Sequence, residues 1–383
     1  MTVTEPKGFR AAGVAAGIKG GGGLDLAVVV NDGPADVAAG VFTSNRVCAA
    51  PVIWSREALA DGVLRAVVLN SGGANACTGE EGLADSAATA DGLAGLLGVA
   101  CHDVAVCSTG LIGERLPMAP LLAGVGTAVE GLSVSGGADA ARAIMTTDTR
   151  PKTAVFNGNG WSIGAMAKGA GMLAPAMATM LVVITTDAVL TAEQANTALR
   201  AATEVSFNRL DSDGCQSTND TVLLLSSGAS GVELDTRTFT AALTTVCLDL
   251  GAQLLGDAEG SSHDIEILVK GAAGQADALE VGRAIARSNL FKCAIFGNDP
   301  NWGRVLSTVG TTKAVFDPDE LDVSFNGVMV CRGGAIGEDR SLVDLSPRRV
   351  SVVVDLHAGR EQAMVWTNDL TYDYVKENAE YST

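Results

Sequence analysis

Apolar and polar positions along the chain follow two rhythms, and the two alternate. Leu24 to Asn31 and Leu64 to Leu69 are short apolar runs that predict strands, the second closing on a Ser-Gly-Gly turn at 71–73. Gly82 to Val99 has the alanine and leucine content of a helix, and Val104 to Cys107 predicts a short strand ending in Ser-Thr-Gly. Val155-Phe156 and Trp161-Ser-Ile flank Asn157-Gly-Asn-Gly, a hairpin signature. Met177 to Ile184 is an apolar run bounded by turn formers and predicts a buried strand. Farther on, Phe239, Leu243, Val246, Leu250 and Leu254 recur at helical spacing behind Asp235, a plausible N-cap. Ile265, Ile267 and Val269 alternate as a half-buried strand, as do Val350, Val352 and Val354, while Ala278, Val281 and Ile285 form a helical stripe. Together these imply α/β layers with helices outside sheets.

Length and composition narrow the classes. A chain of 383 residues can bury a large core, and length alone suggests two or three domains. Forty-four acidic against 26 basic residues, a net charge of −18, argue against nucleic acid or an anionic membrane as partner. The eight cysteines contain no C-x-x-C and sit mostly in apolar runs, which predicts reduced, buried thiols. The first residues lack the apolar block of a signal peptide, and no apolar run approaches the roughly 18 residues of a membrane helix. The expectation is a soluble, cytoplasmic protein.

Three motifs compete for chemistry. Gly160-Trp-Ser-Ile-Gly164 fits the nucleophile elbow, but an elbow needs a strand before it and a helix after it, and here a hairpin turn precedes. Ser162 is then expected as the outward residue of a hairpin strand. Gly169-Ala-Gly-Met-Leu-Ala174 mimics a dinucleotide fingerprint, but Pro175 and a strand follow where a helix is required. Gly20 to Gly23 lacks the Gly-Lys-Ser/Thr of a phosphate loop and reads as a flexible loop. Three histidines (102, 263, 357) without zinc-like spacing make a metal site improbable, and His102 beside Cys101 suggests packing.

The run from Met166 to Asp187 carries a single hydroxyl near the head of its strand-like part, Thr179. Taken alone it reads as an ordinary buried threonine. It also fits a chain-cutting threonine: with small Ala178 before it, Thr179 could attack the preceding carbonyl and, after ester hydrolysis, become a new N-terminus. Its hydroxyl would then be activated by its own α-amine, which titrates at roughly 7.7–8.0 in model peptides.

Lys168-Gly-Ala-Gly-Met-Leu-Ala-Pro-Ala-Met-Ala-Thr179 resembles the cleavage motif of the ornithine acetyltransferase family, the glutamate N-acetyltransferases of the cyclic arginine pathway. So do Asn70 to Gly79, Cys107 to Gly113, Met145 to Thr149, Ser217 to Thr221, Asp257 to Gly260, Gly297 to Arg304 and Glu377 to Thr383, in order and almost end to end. The resemblance implies a layered α-β-β-α sandwich of the DmpA/ornithine-acetyltransferase-like type. It implies self-cleavage between Ala178 and Thr179 into an alpha chain, 1–178, and a beta chain, 179–383, interleaved in one catalytic unit and assembled as two copies of each. It makes Thr179 the nucleophile, Thr109 and Gly110 the oxyanion hole, and Thr147, Lys168, Glu259, Asn378 and Thr383 substrate contacts, with Thr146 too close to exclude. From spacing alone, Lys168 would be a snorkelling lysine and Glu259 a solvated helix end. The implied reaction moves acetyl from N2-acetylornithine to glutamate with no bound cofactor, acetyl-CoA serving as co-substrate where the enzyme is bifunctional. In an amino-acid acetyl transfer of this kind, Lys168 suits a carboxylate, and Glu259 or the terminal carboxylate suits an ammonium. Asp299-Pro-Asn-Trp-Gly-Arg304 is assigned to packing around the site. Where the family pattern continues Ala-Thr-Lys after Gly260, this chain has Ser261-Ser-His263, so a basic contact near Glu259 could be missing. The alternatives are an aminopeptidase or amidase on the same self-processing fold and, from another class, an uncleaved amino-acid binder.

Overall fold

Two of the three sheets bury their strands on both faces, which is why so many strands are unbroken apolar runs. The computed structural model describes residues 2–172 and 180–380. The first sheet has the order β1 (Phe9–Val14), β2 (Leu26–Asn31), β4 (Ala66–Ser71), β5 (Val104–Thr109). The second has the order β3 (Val37–Phe42), β9 (Thr221–Ser226), β8 (Leu181–Thr186), β7 (Ser162–Lys168), β6 (Lys152–Asn157). Successive residues of a strand point to opposite faces, so Leu181 and Val183 of β8 meet the first sheet while Val182 and Ile184 meet helices.

Helices close both outer faces. After α1 (Ala50–Ala58), helices α2 (Gly79–Leu97) and α3 (Met118–Glu130) cover the first sheet through Leu93, Leu121 and Val125. The small helix α4 (Gly137–Ala143) packs at the margin of the inter-sheet core. On the far side, α5 (Ala192–Glu204) and α6 (Thr236–Leu255) cover the second sheet. The layers are α-β-β-α, as expected.

The predicted N-cap of α6 is in place, with Asp235 Oδ1 accepting the Thr238 N–H at 2.9 Å. Contrary to the reading that no segment approaches membrane length, α6 is long and apolar enough by composition to cross one. Its stripe of Phe239, Leu243, Val246, Leu250 and Leu254 is instead fully used against the second sheet, each such side chain contributing about 1.5–3 kcal/mol on burial.

A third sheet has its own core. Its order is β13 (Ala335–Ile336), β12 (Val328–Arg332), β11 (Asp322–Phe325), β14 (Arg349–Asp355), β10 (Asp264–Ala272), β15 (Glu361–Asn368), packed by α7 (Gln275–Ala286), α8 (Asn289–Phe296) and α9 (Trp302–Val309). The alternation read in β10 and β14 is its one-sided burial. Helix α10 (Tyr372–Glu380) follows β15.

The segments on either side of residue 178 share one sheet. β7 pairs antiparallel with β8, placing Lys168 opposite Leu181, and β3 pairs antiparallel with β9. Residues 177–179, predicted as the head of the central strand, lie outside the described residues.

Several expectations are corrected. Ser162 is not outward: Asp187 accepts its N–H at 2.7 Å and the residue is buried. Of the eight cysteines only Cys107, Cys247 and Cys331 are buried, while Cys77, Cys215 and Cys293 are exposed. Composition marked these runs as apolar, but these three fall on outward positions. The Asp299–Arg304 turn does not pack around the cleft described below. Asn301 caps α9 by accepting the Arg304 N–H at 3.2 Å, and Trp302 packs into the third sheet's core. His102 does pack, its ring stacked 5.4 Å from Trp54.

Candidate active site

Strands β4 and β5 are parallel and end together, so the loops that follow them must turn side by side. Asn70 holds that end: its amide donates to Gly73 O at 3.0 Å, and its side-chain oxygen accepts the Ser108 hydroxyl at 2.6 Å. Gly72 N–H donates to Thr109 O at 2.9 Å. Gly110 continues at φ +134°, and a Cβ there would stand 2.5 Å from Gly73 N and 2.6 Å from Gly72 C. Only glycine fits where the two loops touch.

This corner opens into a cleft of about 550 Å³, within the usual size of small-molecule sites. Thr109, Gly110, Thr147, Lys168, Glu259 and Asn378, all nominated from sequence, line it together with Thr146. Thr179, Ala178 and Thr383 lie outside the described residues.

Lys168 ends β7 and is 1% exposed, so it is not a snorkelling side chain. Its ammonium donates to Thr146 Oγ1 at 2.6 Å and to Thr109 Oγ1 at 3.2 Å. An ammonium has three protons. Asp148 stands 3.9 Å away, beyond hydrogen-bond length, so among the described residues the third proton is free for a ligand. Because Thr109 accepts from the ammonium, its own hydroxyl proton is left to donate to a developing oxyanion. Burial pulls the Lys168 ammonium below its usual value, opposed chiefly by Asp148 and lowered further by Lys152.

Asp148 anchors this arrangement from behind. It accepts from Lys152 Nζ at 2.6 Å, Gly169 N–H at 2.7 Å and Thr146 N–H at 3.0 Å. Burial pushes its carboxyl up, yet Lys168, Lys152 and the Gly169 N–H outweigh that and hold it below the ordinary value. Lys152 is itself fully buried and reaches Asp257 as well, so β6 and the turn after α6 are tied to one charged centre.

Glu259, which also lines the cleft, is neither at a helix end nor fully solvated. It lies beyond α6, where it accepts the Thr147 hydroxyl at 2.7 Å and its N–H donates to Ala170 O at 3.0 Å. Gly171 makes room, since a Cβ there would meet both Glu259 carboxylate oxygens at 2.8 Å. The cleft is thus lined by both a buried cation and a carboxylate, held by the adjacent hydroxyls of Thr146 and Thr147. Asn378, on α10, donates to Tyr374 O at 3.0 Å.

The Ser261-Ser-His263 departure turns away from the cleft. Ser262 and His263 both bond Asp369 at the end of β15, and the His263 ring lies 2.7 Å from that carboxylate and 3.0 Å from Leu345 O. These residues fasten α6 to the third sheet. Sequence reasoning missed Lys19 and Glu114, which line the cleft, and the Gly20–Gly22 stretch, which forms its rim instead of a bystander loop.

A family model described as the ArgJ family matches residues 10–383. The chain is 64% identical, over the full length of both sequences, to the arginine biosynthesis bifunctional protein ArgJ of Thermobifida fusca (strain YX). It is 62% identical, again over the full length of both, to the protein of the same name from Streptomyces coelicolor. Among solved structures, an ornithine acetyltransferase complexed with ornithine from Mycobacterium tuberculosis is 56% identical in a match covering 47% of this chain and 96% of that one, with a TM-score of 0.45.

Proposed function

The chain belongs to the ArgJ family, and we propose that it moves acetyl from N2-acetylornithine to glutamate through an ester on Thr179. The carrying observation is that residues nominated from five separate stretches of sequence, Lys168 and Glu259 among them, line one cleft.

In this mechanism Thr179 Oγ attacks the acetyl carbonyl and its freed α-amine takes the hydroxyl proton. Thr109 and Gly110 stabilise the oxyanion, and the same amine returns the proton to the departing ornithine nitrogen. Glutamate then attacks the ester and restores the hydroxyl. Lys168, with one proton uncommitted, receives the α-carboxylate, and Glu259 faces the distal ammonium. Asn378 and Thr383 complete the contacts. Glutamate puts a carboxylate where ornithine carried its cation, a mismatch that water or Asn378 absorbs. The relatives' description as bifunctional supports acetyl-CoA as a second acetyl source. The active form is two copies each of 1–178 and 179–383 in the cytoplasm; the sharing of one sheet across residue 178 supports the interleaving of the two pieces.

The test is ornithine release from N2-acetylornithine with and without glutamate. Release should depend on glutamate, with N-acetylglutamate formed in equal amount. Undiminished release without glutamate would mean water is the acceptor and favour the aminopeptidase or amidase reading, which the relatives' names do not support.

A further inference from the structure

Three consecutive residues beyond α4 each hold one charged side chain of the cleft. Met145 O accepts from Lys19 Nζ at 2.5 Å, the Thr146 hydroxyl accepts from Lys168 Nζ at 2.6 Å, and the Thr147 hydroxyl donates to Glu259 at 2.7 Å. The proposed reaction has used Lys168 and Glu259 and left Lys19 without a role, although it lines the same cleft.

Lys19 leaves a fixed stretch of backbone. Asp25, fully buried just before β2, accepts the N–H groups of Ala16 at 2.6 Å, Ile18 at 2.6 Å and Lys19 at 3.0 Å. Its own carbonyl accepts the Ser71 N–H at 2.9 Å, so the segment is tied to the corner that carries Gly72 and Gly110. The Lys19 stem crosses that corner: a Cβ on Gly72, at φ +109°, would stand 3.1 Å from Lys19 Cγ. A side chain placed in this way loses little freedom when it meets a ligand.

Its ammonium donates to two carbonyls, Met145 O and Leu24 O at 3.4 Å, and among the described residues to no carboxylate. One of its three protons and its whole charge are left for a ligand. Burial pulls it below the usual lysine value, opposed by the more distant charges of Asp25 and Asp148.

The two amino acids of the transfer share an α-carboxylate and differ at the far end. Lys168 answers the shared group. Glu259 answers ornithine's ammonium and repels a second carboxylate. Water or Asn378 can fill space there but brings no positive charge. Among the described residues that line the cleft, Lys19 is the one other cation. We propose that Lys19 receives the side-chain carboxylate of glutamate, an inference that rests on the reading of the reaction as acetyl transfer to glutamate. Lys19 and Lys168 are held by adjacent residues, so the two carboxylates of one small molecule can bridge them.

The test compares glutamate with glutamine as acetyl acceptor for self-cleaved wild-type and Lys19→Met enzyme. Glutamine keeps the α-carboxylate, the amine and the length, and loses only the side-chain charge. In a ping-pong scheme kcat/KM for the acceptor reports the second half-reaction alone. Wild type should prefer glutamate, and Lys19→Met should lose about 10–10²-fold in kcat/KM on glutamate, the worth of a charge-assisted hydrogen bond. The loss on glutamine and the change in KM for N2-acetylornithine should both be far smaller, and Lys19→Arg should restore part of the preference. A purely structural role, acting through Met145 on Thr146 and Lys168, would weaken both acceptors and the donor alike, and that result overturns the inference. An unchanged kcat/KM for glutamate also overturns it. If Lys19→Met is not cut or lacks a cooperative thermal transition, the wild-type preference decides, a ratio well above one supporting the role and a ratio near one overturning it. A wild type that releases ornithine but acetylates neither acceptor removes the transfer reading itself, and this inference with it.

Discussion

Replacing Thr179 by alanine should leave one unbroken 383-residue species and abolish acetyl transfer. The two effects have one cause. Without Oγ the chain has neither the attacking atom for its own cleavage nor the atom that carries acetyl afterward, and the α-amine that would serve as base is never released. Losing a nucleophile that acts as a unit with its base typically costs on the order of 10⁴–10⁶ in kcat. Intact mass and ornithine release measure the two effects separately. Thr179→Ser is the informative companion, because it keeps the hydroxyl and the chemistry while changing only the methyl. A cut, active alanine variant would contradict the account.

Lys168→Met should have the next largest effect. Methionine fills the buried channel at similar length but removes the cation, the donor that orients Thr109 and the proton left for a carboxylate. Transfer by correctly cut protein should fall by about 10²–10³ in kcat/KM, since an oxyanion-hole donor alone is worth that much. KM for both amino-acid substrates should rise together. Asp148 keeps Lys152 and the Gly169 N–H, so the stability loss should be about 1–3 kcal/mol, below the full cost of stranding a buried charge. Arginine is not a conservative replacement at a site closed to solvent. Steady-state kinetics on glutamate and acetylornithine, with a thermal melt, check both parts. An unchanged KM for both would remove Lys168 from substrate binding.

The sequence carried the layers better than the cleft. β2, β4, β5, β8 and β9 are buried along their whole length, so their apolar runs stood out, and α6 announced itself by its stripe and its Asp235 cap. Helices α8 and α9 were hidden because Asp299-Pro-Asn-Trp has the composition of a turn, while Ser288 and Asn301 supply the caps. Within the cleft, neither Lys168 nor Glu259 was persuasive from spacing, because each gains meaning only from Thr109, Thr147 or Asp148, far away in the chain. The order of the motifs named them, and the fold brings them together. Ser162 shows the reverse error: a hairpin has two faces in a sequence, but Asp187 encloses this one.

The most direct measurement is to mix mature protein with N2-acetylornithine, omit glutamate, quench in acid and weigh the pieces. The account predicts that the fragment beginning at residue 179 gains the mass of one acetyl group, mapped to Thr179, and loses it when glutamate is added. Acetyl found on no fragment, or on another residue of a chain that still runs unbroken through Ala178, would contradict it.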